Sequence, residues 1–156
     1  MTIILKWKLL DPDASIPKYM SVGASGMDLR ACLTDPFNYP DGSIIVKPGE
    51  TKAIPTGLAV EIPNGYEMQI RPRSGLSFTT KLRIPNAPGT IDSDYRGEVK
   101  VLMEHIGWNT DKDIIINHGD RIAQAVIVPI VQALNKCANN LTGTERGSGG
   151  FGSTGV

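Results

Sequence analysis

Residues 98–103 read EVKVLM. In an extended chain Val99, Val101 and Met103 fall on one face, with Lys100 and Glu104 on the other. That alternation is the mark of a half-buried strand. Segments of the same kind recur: SIIV at 43–46, LAVEI at 58–62, YEMQI at 66–70, DIII at 113–116 and IAQAVIV at 122–128. Eleven prolines and seventeen glycines punctuate them and leave little room for long helices. Short strands closely spaced by turns predict an all-β sandwich, jelly roll or barrel. One short helix is expected, from Ser74 to about Thr80, while Gln132 to Asn140 is ambiguous. IIVKPGET (44–51) and IIINHGDR (114–121) share the same strand-to-turn punctuation. A β domain of this size has edges to protect, and a closed oligomer is one remedy.

The 156 residues make one domain by length, enough to bury a core without staples. Sixteen basic and sixteen acidic side chains balance to zero. A nucleic-acid footprint needs a basic surface, so direct binding to nucleic acid is not expected. Cys32 and Cys137 stand far apart with no metal or redox spacing, which suggests a reducing compartment. MTIILKWKLL at the start is too short and too charged for a signal peptide. No apolar run approaches the roughly 18 residues of a membrane span. A soluble cytoplasmic protein is expected. His105 and His118 have no partner at metal spacing, and neither a phosphate-loop lysine motif nor a zinc pattern is present.

Chemistry concentrates in five stretches. In RPRSGLS (71–77) a strand ends at Pro72 and Ser74 is a favoured N-cap, so free N–H groups there would face an anion. Arg73 adds a fixed charge and Gly75 allows close backbone approach; an ordinary capped helix with a surface arginine fits the same residues. In NAPGTIDSDYRG (86–97) two carboxylates and a tyrosine lie close together. An extended segment would put Asp92 and Asp94 on one face and Tyr95 on the other. A carboxylate in a pocket can orient a water, Tyr95 can offer its ring to a sugar or base, and Asn86 can read a base edge. Taken by itself, this stretch is better explained by a plain Asp/Gly-rich turn, which is very common. In GDRIAQ (119–124), Arg121 and Gln124 open a strand and either face a polyanion or stay structural. In ASGMDLRA (24–31), Asp28 between Met27 and Leu29 needs a partner if buried, and Arg121 is the candidate.

The fifth stretch is RGSGGFGSTG (146–155). Gly147, Gly149 and Gly152 spell G-x-G-x-x-G, but only four residues follow Gly152. A dinucleotide loop needs a strand before it, a helix after it and a later acid, so that reading fails. A Gly/Ser tail is the plain alternative. Arg146 and Phe151 fit instead a mobile arm that closes over an aromatic, phosphate-bearing ligand.

These five stretches, in this order and covering nearly the whole chain, resemble the five motifs of the trimeric dUTP pyrophosphatase (dUTPase) family. The resemblance implies a distorted β jelly roll, residues 1–142, assembled as a homotrimer whose active sites are shared between subunits. Residues 143–156 would form a flexible arm closing over a neighbouring subunit's site. It implies hydrolysis of dUTP to dUMP and pyrophosphate with Mg2+ carried on the substrate triphosphate and no protein metal ligand. Such an activity limits uracil incorporation into DNA and supplies dUMP for dTMP synthesis. By the same resemblance Asp92 orients the attacking water. Arg73, Ser74, Gly75 and Gln124 bind phosphates, while Asn86, Gly89, Thr90 and Ile91 line the uracil pocket. Tyr95 packs on the deoxyribose and Lys100 touches substrate. Phe151 covers the uracil, Arg146 grips the terminal phosphate, and Gly152 and Ser153 add phosphate contacts. Asp28 and Arg121 support the site. The rival readings are a dCTP deaminase-like or bifunctional relative and a non-catalytic nucleotide- or protein-binding trimer.

Overall fold

The computed structural model describes residues 2–150 and Ser153. Among the described residues eleven strands and one helix follow in chain order: β1 Lys6–Leu9, β2 Met27–Arg30, β3 Ser43–Val46, β4 Thr51–Pro55, β5 Leu58–Glu61, β6 Tyr66–Arg71, α1 Ser74–Thr79, β7 Leu82–Arg83, β8 Gly89–Ile91, β9 Lys100–His105, β10 Ile114–Asn117 and β11 Arg121–Pro129. All pairings are antiparallel. The sheets run β2-β11-β6-β8, β4-β9-β7, β10-β3 and β1-β5. This is the all-β architecture with one short helix that the strand pattern predicts.

The alternation at 99–103 holds residue by residue. Val99, Val101 and Met103 are buried, Lys100 is exposed and Glu104 half-buried. They join Leu29, Val46, Ile54, Met68, Ile70 and Ile122 in one apolar core. Side-chain and main-chain bonds tie strands of different sheets together. Val99 N–H donates to Leu58 O at 2.8 Å, and the buried Thr56 hydroxyl donates to Val99 O at 2.6 Å. Cys32 N–H donates to Pro55 O at 2.8 Å. Among the described residues no buried side-chain nitrogen or oxygen lacks a hydrogen-bond partner, as close-packed interiors require.

Several expectations change. The strand read at 98–103 is paired only from Lys100 and runs on to His105. The strands β1 and β4 were not singled out: KWKL is exposed at three of its four positions, and in TKAIP only Ile54 is buried. Neither carries the apolar alternation that marks a strand. The helix has Arg73 as its N-cap with no side-chain cap bond, so Ser74 is the first helical residue and not the cap. Residues 132–140 form neither helix nor strand and are exposed. No helix among the described residues is long and apolar enough to cross a membrane.

Cys32 is buried and Cys137 exposed. Burial pushes the Cys32 thiol above its usual range, with the Asp11 carboxylate adding to the effect. The thiolate is the nucleophile, so Cys32 should resist alkylation in the native protein. Peptide mapping after iodoacetamide treatment at neutral pH should find Cys32 unmodified until denaturant is added; native labelling of Cys32 would contradict the packing.

Candidate active site

Three adjacent strands set one row of polar side chains. Asp28 on β2 is the register partner of Gln124 on β11, and Gln124 is also the partner of Arg71 on β6. After Arg71 the chain turns through Pro72 and Arg73 into α1. Arg73 comes back over the sheet: its Nε donates to Asp28 Oδ1 at 3.0 Å. Arg121 Nη1 donates to the other oxygen, Oδ2, at 3.1 Å. Arg73 Nη1 also donates to Arg121 O at 3.2 Å. One carboxylate, its side chain 15% exposed, therefore holds two guanidinium groups. The expected Asp28–Arg121 contact is present, and Arg73 shares it.

The first turn of α1 lies next to this cluster. Ser77 N–H donates to Arg73 O, which leaves the N–H groups of Ser74, Gly75 and Leu76 without an intrahelical acceptor. Ser74 and Gly75 are exposed. Ser74 and Gln124 line a cavity of about 570 Å³ together with Arg71, Pro72, Ser77 and Pro88. Gln124 Nε2 donates to Pro72 O at 2.8 Å. A Cβ at Gly26 would collide with Gln124 Oε1 and lie 3.1 Å from its Cβ, so the bare glycine makes room for this side chain. Gly26 and Arg71 are residues that the motif reading passed over. Arg71 Nε and Nη2 donate to Gln69 Oε1 at 3.0 and 2.6 Å, and Gln69 Nε2 donates to Glu67 Oε1 at 2.6 Å. The sequence signal was there: Glu67, Gln69 and Arg71 alternate with Met68 and Ile70.

A second group of residues surrounds β8. Gly89 is buried opposite Ile70, and Asn86 lies exposed in the turn before it. Thr90 is exposed and Ile91 half-buried. The chain then turns, with Tyr95 N–H donating to Asp92 O at 3.2 Å. Asp92 and Asp94 are thus turn residues, and the extended segment expected to place them on one face is absent. Both carboxylates are exposed. Arg96 Nη1 fastens the turn by donating to Ser93 O and Tyr95 O at 2.7 and 2.8 Å. Tyr95 OH donates to Glu98 O at 3.0 Å. Lys100 pairs with Glu98 at 3.4 Å.

The register separates the two groups. Gly89 faces Ile70 and Ile91 faces Met68, so Asp92 leaves the sheet near the level of Glu67. Gln124 sits level with Arg71, at the other end of β6. Four residues of strand span roughly 13 Å. A single chain therefore does not bring Asp92 and Tyr95 to Arg73, Ser74 and Gln124.

In the terminal stretch, Arg146 Nε donates to Gly149 O at 2.9 Å, turned onto its own loop. Gly147 N–H donates to Thr144 O at 3.1 Å, with Gly147 at φ 51°. Ser153 N–H donates to Gly150 O at 3.1 Å. Phe151 and Gly152 lie outside the described residues.

A family model described as dUTPase matches residues 13–155. The chain belongs to the dUTPase family. It is 50% identical over 145 residues to the deoxyuridine 5'-triphosphate nucleotidohydrolase of Roseobacter denitrificans, covering 93% of this chain and 90% of that one. It is 47% identical over 154 residues to the enzyme of the same name from Syntrophotalea carbinolica, covering 99% and 98%. Among solved structures it superimposes on a mutant dUTPase of Staphylococcus bacteriophage 80alpha with dUpNHpp at a TM-score of 0.85 and 29% identity, covering 99% and 100%. A mutant dUTPase from phage phi11 of S. aureus, with a coordinated structural Mg(II) ion, matches at 0.75 and 26%, covering 88% of this chain and 98% of that one.

In this dUTPase-family chain Asp28 fixes the direction of Arg73. A charge-assisted hydrogen bond contributes about 1.5–3 kcal/mol, so Asp28→Ala should raise KM for the nucleotide about tenfold or more. Steady-state kinetics on the folded variant would check this; an unchanged KM would mean that Arg73 is held by other contacts.

Proposed function

We propose that the protein hydrolyses dUTP to dUMP and pyrophosphate as a homotrimer in the cytoplasm. The observation that carries the reading is the Arg73–Asp28–Arg121 cluster set against the uncapped first turn at Ser74 and Gly75. Forked cations beside free backbone N–H groups suit a polyanion such as a triphosphate. The separation of Asp92 and Tyr95 from that cluster supports a site completed by neighbouring subunits.

In the assembled site Arg73, Ser74 and Gly75 bind phosphate oxygens, and Gln124 reaches them or their water. Asn86 with Gly89, Thr90 and Ile91 lines the uracil pocket, and Tyr95 covers the deoxyribose. Asp92 orients a water and takes its proton as the oxygen attacks the α-phosphorus. The bond from that phosphorus to the bridging oxygen breaks, and pyrophosphate leaves. Positioning and charge neutralisation supply most of the rate in such chemistry. Mg2+ would be carried by the triphosphate oxygens, where it would offset phosphate charge. Residues 143–156 act as an arm over a neighbouring site: Arg146 on the terminal phosphate, Phe151 over the uracil, Gly152 and Ser153 on phosphates. Lys100, already paired with Glu98, is the weakest of the substrate contacts.

Pyrophosphate release with Mg2+, run on dUTP beside dCTP, dTTP and UTP, tests the reading. Release from dUTP alone is expected, while ammonia from dCTP would point to a deaminase. Asp92→Asn should keep nucleotide affinity and lose at least about a hundredfold in kcat; near-normal turnover would remove Asp92 from its role. Deleting residues 143–156 should leave a folded trimer with weak activity, checked by mass in solution and the same assay. A truncated protein as fast as the parent would make the segment a mere tail.

A further inference from the structure

Gly97 has an unexplained constraint. Its φ does not lie in the left-handed region, so no positive-φ strain calls for glycine there. Yet a Cβ at this position would stand 2.6 Å from Tyr95 Cζ and 3.0 Å from Cε2, and closer still to the Tyr95 hydroxyl. What demands glycine is the tyrosine ring that crosses it. The residue is tethered at its backbone and at its hydroxyl. Tyr95 N–H is bonded to Asp92 O, and Tyr95 OH to Glu98 O at 3.0 Å. The floor under it is stiff. Glu98 Oε1 accepts Gly57 N–H at 2.9 Å, and the next residue, Val99, is fully buried and bonded to Leu58 O.

We propose that Gly97 is a positioning residue: its missing side chain lets the Tyr95 ring lie low and thereby sets discrimination between deoxyribo- and ribonucleotides. This rests on the reading of the site as one for dUTP, with Tyr95 against the sugar. Carbon atoms in contact settle at about 3.5–4.0 Å, so a methyl group at Gly97 forces the ring back by roughly 1 Å. Tyr95 is 43% exposed and has space to retreat, so the variant keeps its fold and moves its ring. The retreat breaks the bond to Glu98 O and changes the clearance at the sugar 2′ position. The hairpin backbone, fixed by Arg96 to Ser93 O and Tyr95 O, stays in place.

The test compares kcat/KM for dUTP and UTP in the parent trimer, Gly97→Ala, Tyr95→Phe, Tyr95→Ala and the Gly97→Ala/Tyr95→Ala double variant. Gly97→Ala should change the dUTP/UTP ratio at least about tenfold, within the range that a steric pocket controls. Tyr95→Phe leaves the backbone untouched and removes only the tether, so it should shift the ratio in the same direction, less far. In the Tyr95→Ala background Gly97→Ala should change the ratio no further. An unchanged ratio in Gly97→Ala, or an equal effect with and without the tyrosine, would overturn the proposal. Should Gly97→Ala fail to fold, an unaltered ratio in Tyr95→Phe would overturn it as well. A parent protein that releases no pyrophosphate from dUTP would instead sink the underlying reading, and this inference with it.

Discussion

Strand β11 is paired along both edges, to β2 on one side and to β6 on the other. The polar row Asp28–Gln124–Arg71 exists only because that double register holds. Its inward face is narrow: Ala123 and Ala125 are completely buried, and side chains longer than a methyl would push the flanking sheets apart. Between Arg121 and Ala123 the register with β2 shifts. Such an irregularity re-aims a side chain, and here Arg121, still the register partner of Arg30, reaches Asp28 with its guanidinium. Sheet register, small core residues and the placing of the arginine pair are thus one constraint seen at three scales.

Close approach is the second theme. Gly26 and Gly97 both stand where a side chain would meet a residue of the candidate site, Gln124 in the first case and Tyr95 in the second. Neither has the left-handed backbone of Gly57 or Gly119. Their absent Cβ atoms are negative space that shapes a neighbour's rotamer. This distinguishes them from the glycines that merely allow a chain to turn, and it ties each to a side chain of the site.

Much of the fold was legible because the buried faces announce themselves. Val99, Val101 and Met103 alternate with polar neighbours, and nothing but a strand satisfies that pattern. The strands β1 and β4 stayed silent because backbone pairing, and not apolar burial, holds Lys6, Lys8 and Thr51 in line. The cap at Ser74 was misassigned by one residue since its first turn carries no side-chain cap to betray the boundary. The common face of Asp92 and Asp94 failed for a different reason: the Tyr95–Asp92 main-chain bond converts an apparently extended segment into a turn. Within the site, the pairing of Asp28 with Arg121 was readable from charge and burial. The sharing with Arg73 was not, since it depends on how Pro72 redirects the chain. The residue types of Asp92, Tyr95 and Arg146 allowed the roles proposed for them, but only the family resemblance assigned those roles. Local sequence carries no trace of the distance of Asp92 and Tyr95 from Arg73, which only the β6 register reveals.

A carboxylate at the heart of a cluster proposed to bind an anion looks counterproductive, and its energetics explain why it is tolerated. Two guanidinium groups gathered on one carboxylate, roughly 6–8 Å apart, repel by about 2–3 kcal/mol when the effective dielectric is near 20. Left alone they would splay into solvent and present no defined fork. Asp28 offsets that repulsion with one hydrogen bond to each, at 3.0 and 3.1 Å, and leaves a net positive charge over the three groups. A triphosphate entering such a site meets cations already oriented, so less rotamer entropy is lost on binding. The attraction given up to one buried negative charge is the smaller term. For Arg73, 24% exposed and tied through Nε, direction is worth more than an unshared charge.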